Sequence, residues 1–525
     1  MRILSLLTPA FIAVSLLIVA WDVFLASQIA QLRKVPRAFR TLTALVGLLV
    51  APGLVIAVAS GSLMTARTIL LVTWIWPAVL VLFALQAGYA TGRGLVAPLI
   101  GVPIAIYDLL LASAGLVRYA GSLGLDAPPV LLALTAAQAS TLGLVTGAAA
   151  LASPFAIQIP ILAPAYPARW RASGGLRASL ALLAGVSTAL TLFEIPPSVR
   201  AVASYDRYGR ELLQEHPEGD FTVGLRVFPD LDGPPPSIAL RSDLALADTT
   251  GVSAILVVVN PAGARATALD SLARSLEQTR RDSTLLIVAL GYDGDAGERL
   301  RHSRPAYFAS RLADVRRVAQ RLRPDVLLPA DEPYGRGARA LGTLPPEQWI
   351  DYLTRAAVAA RRVDRRIRIG VAASAYGARD STLYAWAAAA GSPIDVVGFT
   401  VFPSFRGGFA LESRTRAADR WMRALPRPAK PHWVFAAGGY PAVHGERSQE
   451  DAIWGALAWA TSRPTLSGLV VADAADYDAV TGLRAPGGRV RPAGWAVLRA
   501  TRGLREAAAA TAATVQVEER NEGPE

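Results

Sequence analysis

Apolar residues are spread along this chain in two different ways. Up to about Val199 they form stretches long enough to cross a bilayer, whose hydrocarbon core needs roughly 20 apolar residues in a helix. Six such stretches read as membrane helices, at about 3–26, 42–60, 68–91, 95–117, 129–152 and 176–197. The first has only Arg2 ahead of it and no small-x-small cleavage site behind it, so it reads as a retained helix. From Thr222 the pattern changes to short β-branched runs, at 222–228, 252–260, 284–290, 326–330, 367–373, 396–401, 433–437 and 469–473. Amphipathic segments such as 309–321 and 349–362 separate them, which is the pattern of βα units on a parallel sheet.

Eight strands over this length fit a closed (β/α)8 barrel. A doubly wound open sheet is the competitor, but no glycine-rich phosphate turn follows the first strand. The expected architecture is therefore an α-helical membrane bundle (1–199), a linker (200–221) and an α/β (β/α)8 TIM-type barrel (222–505). An alanine-rich, then acidic tail (506–525) reads as disordered.

Composition agrees with this division. The chain has 525 residues, 52% of them hydrophobic, and a mean hydropathy of +0.35. The first 199 residues hold 11 basic and 4 acidic side chains, the remainder 42 and 37. Basic residues gather in cytoplasmic loops. Arg33, Lys34, Arg37, Arg40, Arg93, Arg169, Arg171 and Arg177 lie after odd-numbered helices, against Arg2, Arg67 and Arg118 on the other side. That places the N-terminus and the barrel outside a multi-pass plasma membrane protein. Nucleic acid is not an expected partner, because the basic excess of the second half is mixed with acidic residues and forms no stripe. Within the spans stand Asp22, Asp108 and Glu194. Glu194 reaches the interface beside Pro196 and Pro197; Asp22 and Asp108 serve either a transport or partner role or interhelical hydrogen bonding.

No cysteine is present, and His216, His302, His432 and His444 have no metal-ligand spacing, so neither metal nor cofactor is expected. Serine catalysis lacks its Gly-x-Ser-x-Gly elbow. In a (β/α)8 barrel the chemistry lies at the C-terminal strand ends. Standing there are Arg226, Asp230, Asn260, Tyr292, Asp293, Asp331, Glu332, Tyr334, Ser374, Tyr376, Phe402, Tyr440, Asp473 and Asp476.

Three of these ends resemble the retaining glycoside hydrolase clan built on (β/α)8 barrels. Strand four of that clan ends Asn-Glu-Pro, with the glutamate as general acid/base; here the run is Asp331-Glu332-Pro333. Strand six, Asp-x-x-Gly-x-x-x-Tyr-Pro in the clan, is here Asp395 to Phe402-Pro403. Strand seven, Trp-x-x-Glu-x-Gly-Tyr-Pro with the nucleophilic glutamate, is here Trp433 to Gly439-Tyr440-Pro441. The resemblance covers about 222–503 and implies Glu332 as acid/base, but it sets the nucleophile position on Ala437. No Asp or Glu occurs from Trp433 to Val443. Retention needs two carboxyl groups about 5–5.5 Å apart, inversion about 6.5–9.5 Å. Asp473, Asp476, Asp293 and Asp331 are the candidates for the second.

The expected catalytic set is thus Glu332, Asp331 and Asp473. Arg226, Tyr292, Tyr334, Tyr376, Phe402, Trp433 and Tyr440 are the expected substrate contacts. The expectation is a membrane-anchored glycosidase-like protein acting on or binding a cell-surface or exported polysaccharide, or a non-catalytic subunit of an export or synthesis complex. Its expected partners are a carbohydrate polymer, the lipid bilayer and a membrane protein docked on the helices.

Overall fold

The computed structural model describes residues 2–31, 36–49, 66–122, 130–131, 133–135, 137–138, 159–165, 173–208, 221–227, 237–279, 284–402, 409–425, 430–441, 445–476 and 481–521. The chain divides near Ser204 into two compact units.

The first unit is helical, with helices Arg2–Gln31, 37–49, Ala66–Gly92, Pro98–Ser122 and Ser173–Tyr208. Three segments among the described residues are long and apolar enough to cross a membrane: Ile75–Gly92, Pro98–Val117 and Gly174–Pro196. Leu16–Ile29 is apolar but shorter. Most of the expected span 129–152, and the second half of 42–60, lie outside the described residues. Ser173–Tyr208 continues past Val199 into the stretch expected to be a linker.

The second unit is a closed barrel of eight parallel strands in sequence order. They are β1 Thr222–Val227, β2 Ala254–Val259, β3 Leu285–Leu290, β4 Val326–Leu328, β5 Arg368–Ala373, β6 Val396–Val401, β7 His432–Ala437 and β8 Leu466–Val471. Strands so uniformly apolar suit a sheet covered on both faces. One side chain in two points outward, as Val223, Leu225 and Val227 do on β1, into a core shared with the surrounding helices. The alternate set fills the interior: Leu256, Ile287, Val326, Leu328, Val396, Trp433, Phe435 and Val470. Trp433 is the second residue of β7 and so belongs to the N-terminal end of the barrel. It lies over Gly468, where an added Cβ would sit 2.7 Å from the indole.

Parity breaks on β7 near the mouth, and the β7–β8 pairing also shifts between His432 and Trp433 and between Val434 and Ala437. The β6–β7 pairing shifts between Phe399 and Thr400, so that Thr400 faces Ala436 and Val401 faces Ala437. Ala436 then packs inward with Phe402 and Ala472, while Ala437 joins the outer core. The last helix, Pro492–Asn521, spans most of 506–525. Alanine, the best helix former, is dense there, which favours a helix where composition alone reads as a tail.

Candidate functional site

The C-terminal ends of the strands form a mouth whose polar groups fall into two arrangements. On the β1–β8 side, Arg226 projects inward and its Nε donates to Asp473 Oδ1, both side chains being buried. Thr481 Oγ1 donates to the other carboxylate oxygen. Both oxygens of Asp473 are therefore occupied, and the Nε of the guanidinium that was expected to meet substrate is bonded to it. Buried charges persist in this way, paired and hydrogen-bonded.

On the β4–β6 side, Glu332 is buried with a lighter hold: Oε1 accepts from Thr400 Oγ1 at 3.3 Å. Its backbone lies in the left-handed region, with φ +45°, and so does that of Tyr376, with φ +56°. Only one other non-glycine residue among the described residues, Arg323, does this. Such backbone is uncommon for non-glycine residues and costs roughly 1–3 kcal/mol where the surroundings enforce it. The enforcement is visible: the Glu332 carbonyl accepts from the amides of Gly335 and Gly337, each at 2.9 Å. Gly335 makes room for the acid: a Cβ there would lie 2.4 Å from Glu332 Oε2 and 2.6 Å from Ser374 Oγ and would displace one or both side chains.

The β5 end is organised by Asp380, whose Oδ2 accepts from the amides of Ser374, Ala375 and Tyr376 at 2.8, 2.8 and 2.9 Å. Burial pushes the Asp380 carboxyl up to about 6; the three amides pull against this and the nearby Glu332 charge adds to it. Tyr376, so positioned, donates from Oη to the Thr400 carbonyl at 3.0 Å. A relay of contacts thus runs from Asp380 through Tyr376 and Thr400 to Glu332.

Of the candidates for a second carboxyl, Asp473, Asp293 and Asp476 are held in close ion pairs and Asp331 in a longer one. Asp293 is gripped by Arg299 at 2.6 and 2.8 Å. Asp476 is held by Arg491 at 3.1 and 2.6 Å and by the Gly482 amide at 2.8 Å. Asp331 lies 3.7 Å from Arg336 Nε. Among the described residues Glu332 alone of these acids has no ion pair, and no cluster of three potential metal ligands occurs.

The expected sugar-stacking aromatics separate by position. Tyr292 lies under Arg311, whose guanidinium is 5.2 Å from the ring centre. That guanidinium donates to the carbonyls of Leu290, Gly291 and Pro329 and ties off the β3 and β4 ends. Tyr334 is buried. Trp433 stacks on Phe435 inside the core and presents no face at the mouth. Phe402 and Tyr440 pack together, ring centres 5.6 Å apart. Tyr376 and Tyr440 are only partly buried, and the charge of Glu332 reaches both. Thr400 and Asp380 were not among the expected site residues. Thr400 was legible from alternation, since Val396, Gly398, Thr400 and Phe402 share one parity; Asp380 gave no signal beyond following Gly377 in a first helical turn.

An eight-stranded parallel barrel with one lightly held acid at its mouth defines the class, a TIM-type barrel. No known protein family and no curated protein matches the chain. Solved structures do resemble it. The β-glucuronidase of Ruminococcus gnavus matches at 13% identity with a TM-score of 0.41, over 54% of this chain and 51% of that one. The β-glucuronidase of Bifidobacterium dentium complexed with coumarin-3-O-glucuronide matches at 14% identity with a TM-score of 0.40, over 54% and 46%. The match spans about half the length of those enzymes, and the substrate in their names remains theirs.

Proposed function

We propose that this chain is a multi-pass plasma membrane protein whose outward-facing, glycoside hydrolase-like barrel acts on or binds a cell-surface or exported polysaccharide through Glu332. One observation carries the reading: Glu332 is the mouth acid whose carboxylate is held by a single hydroxyl at 3.3 Å, beside the partly buried rings of Tyr376 and Tyr440. A lightly held, buried carboxyl is available to a glycan hydroxyl or a glycosidic oxygen; one with both oxygens tied is not. Membrane residence is supported by the three apolar helices and by exposed Leu17, Leu182 and Phe193 on the helical unit. The distribution of basic residues along the first 199 residues supports the orientation.

The test is a screen of the purified full chain for binding and turnover of β-glucans, galactans and peptidoglycan glycans. Turnover that Glu332→Gln abolishes supports an acid role, and turnover that survives it overturns that role. The second reading, a non-catalytic polysaccharide-binding subunit of an export or synthesis complex, is favoured by the inward positions at the ends of β7 and β8, which are Ala436 and Ala472. It predicts glycan binding without hydrolysis and a co-purifying membrane partner. Because the β7 shift turns Ala437 outward, Ala436→Glu is the substitution expected to introduce hydrolysis, and Ala437→Glu is expected to damage the outer core instead.

A further inference from the structure

The helical unit contains a feature that the barrel function leaves unused. Residues 159–165, Ile-Pro-Ile-Leu-Ala-Pro-Ala, follow no helix or strand, yet all seven are buried. A buried irregular segment has to give its peptide groups to something, since an unpaired N–H away from water costs as much as a lost hydrogen bond. Pro160 and Pro164 have no N–H to give, which leaves Ile161, Leu162 and Ala163 between them. Each donates to a different helix. The Ile161 amide reaches Asp108 Oδ1 at 3.0 Å, that of Leu162 reaches Asp22 Oδ1 at 2.8 Å, and that of Ala163 reaches Gln86 Oε1 at 3.0 Å. Gln86 Nε2 donates back to the Ala163 carbonyl at 3.2 Å, and Tyr107 Oη donates to that of Ile159 at 2.9 Å. The prolines bar helix, and the polar side chains supply what a helix or strand would have supplied.

At 1.5 Å of rise per residue, Gln86 stands about 9 Å and Asp108 about 15 Å from the turn joining their helices at Gly92 and Pro98, and Asp22 about 13.5 Å from the end of its own helix at Gln31. Non-helical backbone at such depth is tolerated in a membrane only when buried in protein or lining a water-filled cavity. We propose that 159–165 is a plug. It seats in a polar, acid-lined recess of the helical unit and is latched by side chains whose release would open the recess without unfolding a helix. Asp22 and Asp108 are positioning residues of that latch, acting as hydrogen-bond acceptors. The depth argument rests on the membrane reading; the latch rests on the hydrogen bonds alone.

The chain contains no cysteine, so single cysteines report cleanly. The rate at which a water-soluble maleimide alkylates Leu162→Cys in the full chain is compared with that of Ala97→Cys, in the exposed turn before Pro98. Leu162→Cys is expected to react at least 100-fold more slowly. Adding Asp22→Ala and Asp108→Ala should raise its rate tenfold or more and leave the Ala97→Cys rate unchanged. Asp22→Asn with Asp108→Asn should keep it slow, because an amide carbonyl accepts the same N–H. Should the alanine pair fail to fold, Gln86→Leu is read instead and should raise the rate severalfold. Rapid labelling of Leu162→Cys in the otherwise native chain, no acceleration by the alanine or Gln86 variants, or equal opening by asparagine would each overturn the plug. The same measurement on Leu192→Cys, on the exposed apolar surface, tests the membrane reading separately: lipid slows it, and fast labelling in native membranes argues against embedding alone.

Discussion

The two sides of the barrel mouth treat a buried carboxylate in opposite ways. At β1 and β8, Asp473 has one oxygen on Arg226 and the other on Thr481, so charge and lone pairs are satisfied inside the protein. At β4 to β6, Glu332 has one hydroxyl at 3.3 Å and a strained backbone that aims it. The first arrangement satisfies its acid within the protein; the second leaves the acid with a single hydroxyl partner, which is what the proposed role of Glu332 requires. Burial alone does not separate them, because both residues are buried. What separates them is how many partners each oxygen already has.

That contrast can be broken by mutation. The largest effect is expected at Glu332: if the barrel turns over a glycan, Glu332→Gln should lower turnover by roughly 10²–10⁴-fold, as loss of a general acid does, with the melting temperature nearly unchanged. Asp473→Ala should show the reverse profile. It leaves Arg226 buried without its partner and is expected to cost about 3–5 kcal/mol in denaturant unfolding. Equal damage to stability from both variants would erase the distinction.

A smaller effect concerns pH. His432, at the start of β7, is buried; its Nδ1–H donates to the Lys430 carbonyl at 2.7 Å, which leaves Nε2 to accept from Tyr384 Oη at 2.9 Å. Burial pulls the imidazole down to about 4, against the opposing bond to Lys430. The fold keeps the ring neutral to about pH 4, whereas the unfolded chain protonates it near 6.5. Stability from this group is therefore complete above about pH 6.5 and is lost as pH falls toward 4. At pH 5 the loss is about 2 kcal/mol, from some 1.5 pH units at about 1.4 kcal/mol each. Unfolding of the native chain and of His432→Gln at pH 7 and pH 5 should show their stability gap narrow by that amount. The smallest change is expected from Tyr376→Phe, which removes one hydrogen bond to Thr400. It should cost about 1 kcal/mol and, if the barrel binds a glycan as proposed, weaken that binding more than stability, since its consequence passes through Thr400 to Glu332.

The strand positions were legible because apolar runs of this length, separated by amphipathic segments, have few other solutions. So was Glu332, placed by Asp331 and Pro333 at the end of a strand. Other parts of the site were not. Trp433 looked like a sugar platform by its place in a motif, yet its position at the beginning of β7 sends it into the core. Arg226 and Asp473 are far apart in sequence, and nothing local announces their pairing. Ala437 held the expected nucleophile position, but the shift after Phe399 turns Ala436 inward instead. In the helical unit, Asp22 and Asp108 were readable as polar groups needing partners. That their partners are the amides of 159–165 required the fold.

The sequence by itself determined the two-part organisation, the eightfold strand repeat, the acid after β4 and the missing acid on β7. Each is a matter of local pattern or residue identity, carried by neighbours along the chain. The tertiary structure decided which acids are spent and which is available, which alanine faces the mouth, and what the buried aspartates of the helical unit hold. Those are questions of partnership across many residues, settled only when closing the barrel and packing the helices bring distant groups within hydrogen-bonding distance.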